Sequence, residues 1–164
     1  MEPESVHATA LVLGGSGVLI RGASGAGKST LALLLLDRAA TLALPAALVG
    51  DDRVCLARAG GHLLARPHPA LGGTFEVRGI GLCRALEVTE AVPVRLVVDL
   101  VARTQRLPEP PSPALLLGLA VPHLVLDRRT LRAGLGPRLV LDALAGVAGG
   151  AHRAVLALPE MGGP

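Results

Sequence analysis

The chain has 164 residues, a formal net charge of +3, 51% apolar residues, one Phe and neither Trp nor Tyr. A core must therefore come from Leu, Val, Ala and Ile, which suits a helix-covered sheet better than an aromatic-rich sandwich, and with no platform for stacking bases no nucleic acid partner is expected. MEPESVHATA has no basic segment before an apolar one, and no charge-free apolar window reaches membrane-spanning length, so the chain is expected to be cytoplasmic, with no membrane association.

In chain order, two short strands are predicted at about 8–13 and 17–21. They are joined by Gly14-Gly15-Ser16-Gly17, whose glycines suit a tight reversal. LALLLLDRAA (31–40) predicts a helix in which Leu31, Leu34, Leu35 and Arg38 share a face and Leu33 and Leu36 lie off it. Apolar nearly all round, it is expected to pack on several sides. Pro45 marks a turn before a strand near 46–49, and a second strand starts at about 53. HLLARPHPALGG (62–73) reads as a strand end and a Pro/Gly loop, and FEVRGIGL (75–82) as one short strand closing on glycine. VRLVVDLVA (94–102) is the clearest buried strand, apolar and β-branched around one Asp. LPEPPSP (107–113) is a stiff connector, and AVPHLVLD (about 120–127) a further strand. The segment from Pro137 has proline at a first helical position and glycine at the far end. The tail MGGP is expected to fray. Cys55 and Cys83 lack metal spacing and read as packing residues of a reduced protein. With no repeat, and only the Pro-rich connector as a break, one domain over 1–164 is expected.

Sixteen residues are Lys or Arg, and Lys28 alone is lysine. It lies in Gly22-Ala23-Ser24-Gly25-Ala26-Gly27-Lys28-Ser29, which matches G-x-x-x-x-G-K-[ST] and is followed by Thr30. Glycines let backbone N–H groups turn toward phosphate oxygens, and the following helix aims its N-terminus at the same anion. A slim ammonium reaches outer phosphates where a planar guanidinium would not fit. The Ser29 hydroxyl suits Mg²⁺.

Asp51 and Asp52 follow the apolar run 46–49, at a strand end where ligands collect in a parallel sheet. They read either as a general base with a companion for metal or substrate, or as a polar turn. Strand alternation puts Glu76 and Arg78 on one face. That pair offers a carboxylate to Mg²⁺ and a guanidinium to phosphate, or is a plain surface ion pair. His7, at the entry of the first strand, is a solvated imidazole or a partner for a catalytic Asp. Arg128, Arg129 and Arg132 clamp phosphate or protein, or form a solvated loop. His62, His68, His123 and His152 show no ligand-like spacing and receive no role.

Together these residues resemble the catalytic domain of bacterial HPr kinase/phosphorylase. His7 precedes the GASGAGKS loop, LVGDDRV carries Asp51 and Asp52, and EVRGIGL carries Glu76, Arg78, Gly79 and Gly81. Order and spacing agree over about residues 7–82, and from 94 to 126 the similarity is one of pattern only. The resemblance implies an α/β phosphate-loop kinase domain with a mixed sheet and a nucleotide site like that of phosphoenolpyruvate carboxykinase. It implies ATP and Mg²⁺ as cofactors, phosphorylation of a serine on an HPr-type phosphocarrier protein, and the reverse, phosphate-driven removal. Under it Gly22–Thr30 hold the nucleotide, Ser29 and Glu76 hold Mg²⁺, and Asp51 takes the serine proton. Asp52 and His7 support that centre, and Arg78 stabilises the transferred group.

The chain departs from the family pattern in two places. The loop starts at residue 22, so the N-terminal domain of longer relatives is expected to be missing, which resembles a short proteobacterial form. LDRRTLRAG (126–134) stands where family members carry a V-R-P-G-R-N-like loop. Formation of a homo-oligomer stays open. The alternatives are a small-molecule kinase on a similar loop and a nucleotide-binding regulatory module without turnover.

Overall fold

The structure, a computed structural model, describes residues 3–149 and 152–161. The elements in chain order are β1 (Glu4–Leu13), β2 (Ser16–Gly22), α1 (Lys28–Thr41), β3 (Ala46–Gly50), β4 (Arg53–Ala59), β5 (His62–Pro67), β6 (Thr74–Val77) and β7 (Gly81–Arg84). They continue with β8 (Val92–Val101), β9 (Ala114–Leu116), β10 (Leu119–Val121), β11 (His123–Asp127), α2 (Arg128–Arg132) and α3 (Gly136–Ala148).

Strand β1 organises the sheet. Its second half pairs antiparallel with β2 across the Gly14-Gly15 turn and, on its other edge, with β3. Its first half pairs with β4, which is why it begins at Glu4 rather than near residue 8. β4 pairs with β5, β5 with the start of β8, and the rest of β8 runs parallel to β2 and β11. The pairings β1–β4–β5–β8–β2–β1 therefore close a ring within a seven-stranded mixed sheet. Short apolar side chains fill the ring: Ala8, Ala10, Leu19, Val54, Leu56, Leu63 and Ala65. The opposite face, with Leu11, Leu13, Ile20, Val98 and Leu100, packs under α1 and α3. Side chains alternate along a strand, so each strand serves both cores. In β8 the pairing skips from Val94 to Leu96, a bulge at Arg95. It switches parity, so Val92 and Val94 face the ring while Leu96, Val98 and Leu100 face the helices.

At Gly17 the backbone of β2 packs directly against β8. A Cβ there would lie 2.6 Å from the Pro93 carbonyl oxygen and 2.9 Å from Val92 Cγ2, so only glycine fits.

Several sequence expectations are corrected. Helix α1 packs on one face: Leu31, Ala32, Leu35 and Ala39 are buried at helical spacing, whereas Leu33 and Leu34 are exposed. FEVRGIGL is a hairpin of two strands, β6 and β7, because Gly79 and Gly81 take positive φ and reverse the chain. AVPHLVLD is split at Pro122: β10 pairs with β9, and β11 joins β8. The expectation for the tail falls partly on residues 162–164, outside the described ones; Met161 packs against the helical core and its carbonyl accepts from the His123 N–H. The helix from Pro137 stands as expected, and Gly149 ends it in the left-handed conformation. Cys55 and Cys83 are unpaired and half-buried. Among the described residues no helix is long and apolar enough to cross a membrane.

Candidate active site at the carboxyl edge of the sheet

β2 and β3 are both antiparallel to β1, so they point the same way, and β8 and β11 run with them. Their carboxyl ends share one edge of the sheet, and the start of β1 reaches the same edge. The loop after β2 is the glycine-rich segment, the turn after β3 is Asp51-Asp52, and His7 lies within β1 beside both. The β6–β7 hairpin closes the far wall. It is anchored by the only Phe, Phe75, which is 2% exposed in the helical core. Burial of that ring is worth about 1.5–3 kcal/mol.

One cavity of about 550 Å³ gathers these elements; His7, Ser24, Gly25, Gly27, Lys28, Ser29, Thr30, Asp51, Asp52, Glu76 and Arg78 all line it. Of the sequence-selected positions, Gly22, Ala23 and Ala26 do not. Gly22 and Ala23 instead supply carbonyls to Lys28, and Ala26 turns toward the helical core and a neighbouring apolar slot. Arg78 sits in the turn just past β6, so the reversal after Val77, rather than strand alternation, brings it beside Glu76.

Gly25 and Gly27 have φ of 77° and 103°, in the left-handed region that favours glycine. Gly27 is the residue before α1 and offers no side-chain cap, which leaves the first helical N–H groups free to meet an anion. Lys28 is 7% exposed, and its ammonium donates to the Gly22 oxygen at 2.9 Å and the Ala23 oxygen at 3.2 Å. Burial pulls its pKa below the ordinary lysine value, while Asp51 and Asp52 pull it back up.

The two adjacent acids differ. Asp51 is buried and accepts from Thr9 Oγ1 at 2.6 Å and from Ser29 Oγ at 2.8 and 2.9 Å. Asp52 is exposed, holds a left-handed φ of 65°, and has Oδ1 3.7 Å from His7 Nδ1. A non-glycine residue in that conformation carries strain that tends to collect at functional sites. The Asp-Asp pair thus presents one carboxylate to the phosphate loop and one to the open cavity.

Sequence reasoning missed Thr9. It is fully buried and ties Asp51 to β1; its signal was a lone polar residue in the apolar run ATALVL. It also assigned nothing to His123, which bonds Asp99 at 2.8 Å, while Arg21 grips the same carboxylate through two bonds of 2.7 Å.

A strand, a glycine-rich loop and an uncapped helix thus face a carboxylate pair at the edge of a mixed α/β fold built on a seven-stranded sheet. The model of the HPr Serine kinase C-terminal domain family matches residues 1–127, and the chain belongs to that family. It is 36% identical over 132 residues to the HPr kinase/phosphorylase of Cupriavidus necator, covering 74% of this chain and 39% of that protein. It is 37% identical over 101 residues to that of Mycoplasma mycoides, covering 58% and 30%. The solved structure of the Hpr(Ser) kinase/phosphatase from Coxiella burnetii superposes with a TM-score of 0.65 at 28% identity, covering 81% of this chain and 91% of that one. The matched region spans about a third of the length of these curated relatives.

Proposed function

We propose that the chain transfers the γ-phosphoryl group of ATP to a serine of an HPr-type phosphocarrier protein, with the reverse phosphorylase reaction open to the same centre. The supporting observation is the single cavity in which the phosphate loop faces Asp51, Asp52, His7, Glu76 and Arg78. Family membership supports the acceptor class. On this reading residues 1–164 act as one cytoplasmic catalytic unit with a nucleotide site of the phosphoenolpyruvate carboxykinase kind.

The residues fit Mg²⁺. The Ser29 hydroxyl and the Asp51 carboxylate are hard oxygen donors within hydrogen-bond distance of each other, and Glu76 lines the same cavity. Among the described residues no group of three or more His, Cys, Asp or Glu could cage a metal. That suits an ion shared between a few protein oxygens and substrate phosphates. Bound by Ser29, Asp51 and Glu76, Mg²⁺ would neutralise charge on the phosphate oxygens.

The loop amides and Lys28 position the triphosphate, and Arg78 faces the transferred group. Asp51 already accepts bonds from Ser29 and Thr9, so its electron pairs serve the metal side of the site. The base role implied for Asp51 by the family resemblance therefore passes, in this proposal, to Asp52, which is open to the cavity and steadied by His7. In the forward direction the acceptor serine oxygen bonds to the γ-phosphorus and its proton passes to Asp52. The bridging P–O bond breaks, and ADP leaves with the electron pair. Positioning and charge stabilisation supply most of the acceleration.

The test is incubation with labelled ATP, Mg²⁺ and a purified HPr-type phosphocarrier, followed by mass spectrometry for phosphoserine. Transfer is expected. Tight nucleotide binding with no transfer would instead assign the chain to regulation by nucleotide binding.

A further inference from the structure

Among the described residues the buried polar side chains are Thr9, Lys28, Asp51 and Asp142, and Thr9 alone carries no charge. It sits on β1 between Ala8 and Ala10, opposite the fully buried Ile20 of β2. A hydroxyl withdrawn from water into such apolar surroundings is costly unless it is hydrogen-bonded. Thr9 meets that demand with one bond, to Asp51 Oδ1 at 2.6 Å.

The main chain around Asp51 is held without this bond. The Ala8 N–H donates to the Asp52 carbonyl at 3.1 Å, and the Arg53 N–H to the Asp51 carbonyl at 2.8 Å. The turn after β3 is therefore fastened to β1 through backbone alone. What those bonds leave free is rotation of the Asp51 carboxylate about its own side chain, and the Thr9 hydroxyl removes that freedom.

Two hydroxyls meet the carboxylate. Ser29 Oγ lies 2.8 Å from Oδ1 and 2.9 Å from Oδ2, and a serine has one proton to donate. Thr9 donates to Oδ1 alone, which steers the Ser29 proton to Oδ2. With its proton so placed, Ser29 keeps its electron pairs for a cation in the cavity that Ser29, Asp51 and Glu76 line together. Thr9 does not line that cavity and acts on it only through Asp51. Mg²⁺ demands near-octahedral geometry, so a ligand set held in one orientation binds it better than one that turns.

We propose that Thr9 is a positioning residue for the metal-bound nucleotide: its hydroxyl fixes the Asp51 carboxylate and thereby sets which electron pairs Ser29 and Asp51 offer to Mg²⁺. The inference rests on the reading of the cavity as a Mg-nucleotide site. It differs from a plain structural role, in which Thr9 only ties β1 to the turn and its loss would weaken every function of the site alike.

The experiment compares the full chain with Thr9→Val, which keeps the side-chain shape and removes the hydroxyl, and Thr9→Ser, which keeps the hydroxyl. Each is titrated by calorimetry with a non-hydrolysable ATP analogue, once with Mg²⁺ and once with EDTA. In the unsubstituted chain Mg²⁺ is expected to tighten binding. In Thr9→Val that gain is expected to shrink by about 10–100-fold, the usual effect of losing a group that orients a metal ligand. Affinity in EDTA should stay as it was, and Thr9→Ser should recover most of the gain. Circular dichroism checks the fold, and Thr9→Ala supplies the same comparison should the valine variant not fold.

A Mg²⁺ gain left intact without the hydroxyl overturns the inference while the nucleotide reading stands. Equal weakening in Mg²⁺ and in EDTA also overturns it, because Thr9 would then only support the fold. So does a serine variant no better than the valine one. If the unsubstituted chain gains nothing from Mg²⁺, the reading of the site falls and this inference with it.

Discussion

Ser29 and Asp51 are joined through both carboxylate oxygens, at 2.8 and 2.9 Å, across the gap between the phosphate loop and the end of β3. The serine lies in the first turn of α1 and the aspartate just past a buried strand, so the bond locks loop and sheet together. Asp51→Asn is expected to lower affinity for Mg-ATP by about 10–100-fold, the worth of a hydrogen bond to a charged group. A nucleotide titration with and without Mg²⁺ reads this directly.

Asp52→Asn should behave differently. Binding of Mg-ATP should persist, while turnover on the phosphocarrier falls by about 10²–10⁴-fold, the usual share of a general base. Steady-state kinetics beside binding measurements separate the two variants. If Asp51→Asn keeps affinity and loses turnover instead, the base is Asp51.

Lys28 donates to two loop carbonyls from a nearly closed position. Lys28→Ala is expected to abolish transfer and measurable nucleotide binding. Lys28→Arg should not restore either, because the guanidinium plane is too wide for the space the ammonium fills. Rescue by arginine, seen as recovered affinity, would show that charge alone matters there.

Arg21, Asp99 and His123 give stability a pH dependence. His123 Nε2 meets Asp99, and Nδ1 meets the Ser112 carbonyl at 3.1 Å, so both ring nitrogens face acceptors. The bond to Asp99 raises the histidine pKa above 6.5 against the opposing effect of burial. For Asp99 burial acts upward, but the bonds from His123 and Arg21 prevail and hold the carboxyl well below its ordinary range. The histidine's contribution is full below pH 6.5 and is lost as pH rises through its raised pKa. That of Asp99 is present above about pH 4 and is lost on acidification. The Tm should therefore decline on the alkaline side, and His123→Gln should flatten that decline while leaving the acid side sloped.

Gly17→Ala tests the ring closure. The added methyl would meet the Pro93 carbonyl at 2.6 Å, so β2 and β8 must separate locally. A loss of about 1–3 kcal/mol is expected, as for other overpacked sites. Urea denaturation measures it.

The glycine-rich loop between β2 and α1 and the β1–β2 hairpin were legible because each is written locally, in glycines at fixed spacing and in a strand followed by a helix. The Asp pair was legible because it interrupts an apolar run. What stayed hidden depended on partners distant in sequence. Leu33 and Leu34 share the composition of Leu31 and Leu35, and only the placement of the sheet and α3 decides which side of α1 is covered. The ring needs β5 to find β8, a pairing of Leu64 with Pro93 that no local pattern announces. His123 looked idle because its partners, Asp99 and Ser112, lie on other segments.

In β1, His7 and Thr9 stand at the site, and Leu11 and Leu13 continue the same parity into the packing beneath α1, while Ala8 and Ala10 fill the ring. Chemistry and folding are thus threaded on alternate beads of one string. Deleting a single residue between His7 and Leu11 would turn His7 toward the interior, and it could not be repaired by any change confined to the catalytic loops. This strand should therefore tolerate substitution far better than it tolerates any change in length.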